Sequence, residues 1–385
     1  MSSRADRSSY ASWWWTIDRV ALIAMLMLIA IGLMLAFAAS PAATGGPLTA
    51  GDFRYTVKQI LFACIAGGIM VGASVLSLQQ LKIAAAITFA VALIGSGLVL
   101  LIGNEILGAK RSIDFGIMSL QPSEFLKPGF AVLAAAIIAD RQPMPVPKPL
   151  ITLGLILPAI AILLRQPDVG QTTLLIALWA ALLFFSGTPL KWMGILAGGG
   201  AFLGSAAYVL FPHVHHRIDQ FLNPQTDGGG YQTGLALKAF AHGGLTGVGP
   251  GAGTIKYRIP EAHSDFIFAV AGEEFGLLLC GVIAILFGVL TVRLLLHAAN
   301  QRDRFSQLAG AALATVTALQ AFVNMGVAVS LLPAKGMTLP FISYGGSSLF
   351  AVALTMGFAL AVTRHRPQIA TGRERPLLEL FGARA

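Results

Sequence analysis

The chain has 385 residues, 56% of them hydrophobic and only 11% charged, with a formal net charge of +9. Its mean hydropathy of +0.76 excludes a soluble globular domain and describes a protein built for lipid. Cys64 and Cys280 both fall in apolar runs without metal-ligand spacing and read as small buried apolar residues.

Residues 1–18 form a cytoplasmic N-terminal segment in which Trp13, Trp14 and Trp15 stand just before the first apolar run, where indole rings favour the water–lipid boundary. That run follows Arg4, Arg7 and Arg19 and ends at AFAAS, a signal-peptide pattern, but it is too long for an ordinary signal h-region and is read as an anchored helix. Apolar stretches predict about ten spans, near 20–40, 59–78, 83–103, 124–140, 150–164, 170–187, 191–211, 266–292, 306–331 and 344–363. The expected fold is an all-α polytopic membrane protein. Its membrane domain covers 19–365, with a large extracytoplasmic loop at 212–264 between helices 7 and 8 and a cytoplasmic tail at 366–385. With the N-terminus inside, the cytoplasmic pieces hold most of the Lys and Arg residues, among them Lys82, Arg141, Arg302 and Arg304. The basic charge is then a topology signal, and no nucleic acid partner is needed to explain it.

The long loop mixes Tyr231, Leu235, Leu237 and Phe240 with glycines, which predicts short amphipathic helices on the outer surface. The polar residues at helix mouths and in outer loops are Arg111, Glu124, Lys127, Asp168, Gln171, Lys256, Arg258, Glu261, His263, Asp265 and Lys335. A mixed-sign cluster at one end of a bundle suits an anionic substrate with a head group, because cations neutralise phosphate and a carboxylate can take a proton. Each residue also has a plainer role. Ser264 and Asp265 stand where a helix N-cap belongs, and Glu124 and Lys127 are close enough for a local ion pair. Glu273 and Glu274 lie about 12–14 Å deeper along the Asp265 helix, where acids face a cavity or bond a neighbouring helix. Gly247, Gly249, Gly251 and Gly253 fit neither phosphate-loop pattern and predict a close-packed or mobile turn. His213, His215 and His216 are a weak metal signal, and SYGGSS at 343–348 suits close helix packing or an unwound helix end lining a cavity.

Several stretches then occur together in one order over residues 13–366: QPSEFLK, QPDVGQT, RIDQFLNP, the glycine run, IPEAHSDFIFAVAGEEFG and LLPAKGMTLPFISYGGSS. In these the chain resembles the SEDS family (shape, elongation, division and sporulation), and its division branch more closely than its elongation branch. The resemblance implies a peptidoglycan glycosyltransferase that polymerises lipid II on the outer face of the bacterial cytoplasmic membrane, at the division septum. It also implies partnership with a class B penicillin-binding transpeptidase of the FtsI type and with other membrane proteins of the division machinery. The family's essential loop aspartate falls on Asp265, its helical polar pair on Glu124 and Lys127, and its preceding basic residue on Arg111. Ser112 stands where the family often has Trp, and Leu235 and Ala236 where it often has Gln-Ser.

The expected chemistry is a single inverting displacement, with Asp265 as general base and kept ionised by the helix N-terminus. Arg111, Lys127, Lys256, Arg258 and Lys335 are candidates to neutralise the pyrophosphate, and a divalent cation, magnesium or manganese, is a candidate to share that task. Glu273 and Glu274 are expected to orient their helix. The alternatives are a lipid II flippase or other transporter, a non-catalytic scaffold, and an elongation-type polymerase resembling RodA.

Overall fold

The computed structural model describes residues 9–44, 53–106, 109–116, 118–210, 229–332 and 336–364, together with 212, 215 and 219. A short helix α1 (Ser9–Thr16) leads into α2 (Arg19–Thr44), α3 (Arg54–Val75) and α4 (Leu78–Ile102). Three short strands follow, β1 (Asn104–Ile106), β2 (Ala109–Asp114) and β3 (Ser119–Leu120). Then come α5 (Ser123–Ala139), α6 (Lys148–Arg165), α7 (Val169–Phe185), α8 (Leu190–Leu210) and α9 (Gly229–Gly243). A 3-10 turn at Ile255–Arg258 precedes α10 (Ile267–Ala299), α11 (Arg304–Ala328) and α12 (Gly346–Thr363).

Among the described residues seven helices, α2, α3, α4, α6, α10, α11 and α12, are long and apolar enough to cross a membrane. The other three predicted spans fall on α5 and α7, each 17 residues long, and on α8, whose apolar part is Gly198–Leu210. The three strands are short and lie in one loop of an otherwise helical fold. β2 pairs antiparallel with both neighbours, Asp114 opposite Ser119 and Asn104 opposite Ser112, so a loop too short for a helix meets its own backbone hydrogen bonds.

Burial separates the inner helices from the outer ones. In α12 83% of the spanning window is buried and in α11 61%, against 22% in α6 and 28% in α4. The outer helices turn apolar side chains such as Ile87, Val91, Ile94 and Leu98 of α4 outward, as lipid contact requires. Small residues let the inner helices approach. Gly357 of α12 sits against Met70 and Ala73 of α3, and Gly129 of α5 against the backbone of Phe89 of α4. Ser77 and Gln80 form a capping box that starts α4 directly after α3.

Two irregular segments carry the architecture toward the site. The stretch 336–345 comes within contact of Gly32, halfway along α2, and buries Met337, Leu339, Phe341 and Ile342. Non-helical backbone so deep in a bundle must have its polar groups met by protein. The Ser343 carbonyl accepts from Gln59, the Leu339 N–H donates to the Ser343 hydroxyl, and the Tyr344 N–H donates to the carbonyl of His263.

The second irregular segment breaks α10 at Gly276, whose φ is +74°. The carbonyls of Glu273 and Glu274 accept from the N–H groups of Val248 and Gly249, and the N–H groups of Leu277 and Leu278 donate to the carbonyls of Gly244 and Leu245. The glycine run is therefore a close-packed turn set into a broken helix. The preceding α9 buries Leu235, Ala236, Ala239 and Phe240 and packs against α10, so it is part of the bundle and does not lie on the outer surface.

Candidate functional site

The turn 261–266 delivers Asp265 to the head of α10. The Glu261 carbonyl accepts from the N–H groups of Ser264, Asp265 and Phe266, and Glu261 adopts a left-handed φ of +53°, uncommon for a residue with a side chain. Asn324 of α11 donates to the Asp265 carbonyl at 2.8 Å, and the Ser343 hydroxyl donates to the Ser264 carbonyl at 2.5 Å. The turn itself, α11 and the 336–345 segment thus fix the main chain on which the carboxyl is carried.

The N-cap expectation for Asp265 is corrected by this geometry. Phe266 is the N-cap of α10 and no side chain caps it; the Ser264 hydroxyl goes instead to Glu261. Far from being held ionised, the Asp265 carboxyl is pushed up to about 7. Burial is the main cause, the charge of Glu261 adds to it, and Arg111 opposes it, with Asp168 and Glu124 contributing further upward.

Arg111, on β2, is brought to the same place from the other side. A Cβ on Gly336 would lie 3.3 Å from Asp265 Oδ2 and 3.7 Å from Arg111 Nη1, so one glycine, with φ of +59°, stands against both side chains. Arg111 Nη2 donates to the carbonyl of Pro167 at 2.9 Å. The next residue, Asp168, caps α7 through the N–H of Gln171 and accepts from Gln121; burial raises its carboxyl above the usual carboxylate range despite Arg111.

Glu124 and Lys127 form the expected ion pair at 2.6 Å, and both are buried. Gln171 donates to the other Glu124 oxygen at 2.5 Å, and Lys127 also donates to Gln320 Oε1 at 2.8 Å. Gln320 in turn donates to Thr338. A continuous polar network therefore runs from Asp168 through α5 to α11 and back to the 336–345 segment. Among the described residues, Arg111 Nε, Ser123 Oγ, Gln171 Oε1 and Asn324 Oδ1 are buried polar atoms without a protein partner, and all belong to this network or its immediate neighbours.

The structure does not bring every predicted residue here. Lys256 is withdrawn into the core, where it pairs with Glu274 and donates to the Ala38 carbonyl, because a buried ammonium needs both a counter-charge and acceptors. It is not available to a substrate phosphate. Arg258 is exposed at the end of the 3-10 turn, and Lys335 lies outside the described residues. Glu273 accepts from the N–H groups of Thr254, Ile255 and Lys256 and meets His242 at 3.0 Å, while Glu274 also accepts from Gly251. The two glutamates hold the turn before Asp265 onto α10. His213 and His216 lie outside the described residues, and His215 pairs with Asp219 at 2.9 Å. Among the described residues no group of three or more His, Cys, Asp or Glu side chains is placed to hold a metal ion.

Two further residues, both on α11, belong to this network. Gln320 and Asn324 stand four apart in the apolar α11, and paired amides at helical spacing inside a span mark a polar interior face.

The family model for the cell cycle proteins FtsW, RodA and SpoVE matches residues 18–368, nearly the whole chain. The chain belongs to that family. It is 41% identical over 369 residues to the probable peptidoglycan glycosyltransferase FtsW of Caulobacter vibrioides, covering 95% of this chain and 94% of that protein. The corresponding FtsW of Coxiella burnetii is 33% identical over 370 residues, or 90% and 96% of the two chains. Among solved structures, a chain of a peptidoglycan synthase complex that coordinates polymerization and crosslinking superposes with a TM-score of 0.75 at 27% identity, covering 91% of this chain and 98% of that one. The rod shape determining protein RodA of Thermus thermophilus superposes with a TM-score of 0.65 at 25% identity, over 91% and 97% of the chains. In this FtsW/RodA/SpoVE chain the network around Asp265 is built from α5, α7, α11, β2, the turn at the head of α10 and the 336–345 segment, so it sits where these elements converge.

Proposed function

We propose that the chain is a peptidoglycan glycosyltransferase of the FtsW type that polymerises lipid II. One observation carries the assignment of roles: a carboxyl raised to about 7, with a guanidinium beside it, at the mouth of a helix and open to reaction near neutral pH. The 4-hydroxyl of the acceptor sugar attacks the anomeric carbon of the donor as the bond to the pyrophosphate oxygen breaks. The proton passes to Asp265, and the pyrophosphate leaves with the bonding electrons. No second acid is required, since pyrophosphate departs as a stable anion; positive charge is required instead, and Arg111 is positioned to give it. The Glu124–Lys127 pair holds α5 in register with α7 and α11 and so sets the wall against which the head group would rest.

In this assignment Asp265 faces the outside of the cytoplasmic membrane, and both termini lie in the cytoplasm. The basic ends of the inner loops support that orientation. The lipid tail occupies the space between helices, a class B penicillin-binding transpeptidase is the working partner, and the septum is the place of action. The test is glycan polymerisation from lipid II by the purified chain with its transpeptidase. Wild type is expected to make polymer, and Asp265→Asn, folded and partner-bound, none. Normal polymerisation by Asp265→Asn would overturn the assignment of the base, and translocation of lipid II across vesicles without any polymer would replace it with a transporter.

A further inference from the structure

Asn324 is buried on α11, one turn beyond Gln320. Its amide nitrogen donates to two carbonyls distant in sequence, that of Asp265 at 2.8 Å and that of Met337 at 2.5 Å. Because both partners are acceptors, the orientation of the amide is fixed, and Oδ1 is the opposite end. The pair of bonds staples the turn carrying Asp265 to the stretch that begins at Gly336, the glycine set against both Asp265 and Arg111. Oδ1 is buried with no protein donor, a costly condition unless a donor is supplied. Asn324 and Asp265 line one small cavity of ≈ 30 Å³ with Gln232, Phe266, Val327, Gly336 and Met337, room for about one water. The donor missing from Oδ1 is what a carboxyl at this place acquires when it takes up a proton.

We propose that Asn324 is the positioning residue of the Asp265 base: its N–H groups fix the main chain at 265 and 337, and its Oδ1 accepts a hydrogen bond from the protonated carboxyl, directly or through one water. The role rests on Asp265 being the general base. A bond made only to the protonated form stabilises the state reached after the acceptor hydroxyl has given up its proton, and raises the carboxyl's affinity for that proton. The charged groups facing Asp265 are Glu261 in its own turn, Arg111 of β2, Asp168 at the head of α7 and Glu124 of α5. None of these changes when Asn324 is replaced.

The experiment is the pH dependence of lipid II polymerisation by Asn324→Leu and Asn324→Asp in complex with the transpeptidase, with Asp265→Asn as reference. Asn324→Leu is expected to lose on the order of a hundredfold in kcat, with KM for lipid II little changed and the acid limb moved to lower pH. Asn324→Asp keeps the size of the side chain and adds a carboxylate beside Asp265, so its acid limb is expected to move to higher pH. A wild-type profile in either folded variant, or a fall in kcat with the limb unmoved in both, overturns the proposal and leaves Asn324 a structural staple. If Asn324→Leu does not fold, the direction of the Asn324→Asp shift decides alone. Polymer made by Asp265→Asn would instead remove the base on which the proposal rests, an outcome separate from any result at position 324.

Discussion

The Lys256 ammonium meets the Glu274 carboxylate beneath the glycine turn, and both side chains are completely shielded from solvent. The pair ties the 3-10 turn before Asp265 to α10, and Lys256 extends the tie to α2 through the carbonyl of Ala38. Removing one partner strands the other charge. Lys256→Met is therefore expected to destabilise the fold by about 3–5 kcal/mol. Replacing both members, Lys256→Met with Glu274→Leu, is expected to recover most of that loss, since no ion is then left buried. Thermal unfolding of the purified variants in one detergent checks both statements, and a double variant no more stable than the single one would refute the second.

Asp265 makes an opposite kind of contribution. Its carboxyl is raised from 3.8 to about 7 by burial and by Glu261, so the native state holds its proton more tightly than the unfolded chain does. The stabilisation from that proton is full below pH 3.8 and is lost as pH rises through about 7. Asp265→Asn is thus expected to be more stable than wild type at pH 8, by no more than about 4 kcal/mol, and closest to it at acid pH. Activity runs the other way: kcat/KM should rise about tenfold per pH unit up to the carboxyl's pKa and then level, as a base that must be ionised requires. Unfolding midpoints of the two proteins from pH 5 to 8, with the wild-type pH–rate profile, test both halves.

Hydropathy made the bundle legible because lipid-facing and buried helices are both apolar over long runs, and charge at the ends of those runs marks their turns. The same averaging hid what lies between. The strands at 104–120 are too short to leave a periodicity, and α9 reads as a surface helix because glycines are mixed with its apolar residues; the burial of Leu235, Ala236, Ala239 and Phe240 shows that they face inward. At the site, Arg111, Glu124, Lys127 and Asp265 stood out as charges in a greasy chain. Lys256 stood out equally and proved to be structural, since a sequence does not show which acid a lysine will meet. Asn324 and Gln320 carry no charge and do not stand out in that way, although their four-residue spacing inside an apolar span is visible.

Two glycines at the break in α10 should tolerate no side chain. Gly276 has a φ of +74°, and a Cβ there would run into the backbone of Leu245 and Gly247; Gly247 has a φ of +82°, and its Cβ would meet the backbone of Glu274 and Phe275. An alanine at either place must change the conformation and also push apart the hydrogen bonds between 244–249 and 273–278. Gly276→Ala and Gly247→Ala are each expected to cost more than the roughly 1 kcal/mol of an ordinary strained glycine site. Gly251→Ala, which shares the positive φ but has open space around its Cβ, is expected to cost about that amount or less. Similar unfolding midpoints for all three would show that the break is looser than its geometry.

At the opposite end of α10, Asp18 binds the start of α2 to Arg293 and His297. Its carboxylate accepts from Arg293 Nε and Nη2 at 3.2 and 3.0 Å, meets His297 Nε2 at 2.9 Å, and also accepts from the N–H groups of Val20 and Ala21. Burial pulls the carboxyl upward, but Arg293, His297 and the Ala21 N–H outweigh it and hold it below 3.8. A depressed carboxyl stabilises the fold above its unfolded pKa, and that contribution is lost as pH falls through the lower folded value. Asp18→Asn is therefore expected to lose about 1.5–3 kcal/mol at pH 7, the worth of a hydrogen bond to a charged group, and progressively less of it below pH 4. Position 18 meets α10 at Arg293, some 40 Å of helix from Asp265 at 1.5 Å per residue, so the folded variant should polymerise lipid II at the wild-type rate with an unchanged pH profile. Equal stability of variant and wild type at pH 7 would show that the exposed face of Arg293 lets water take the place of the ion pair. A slowed polymerisation rate in a stable variant would instead mean that the two ends of α10 are coupled through its break at Gly276.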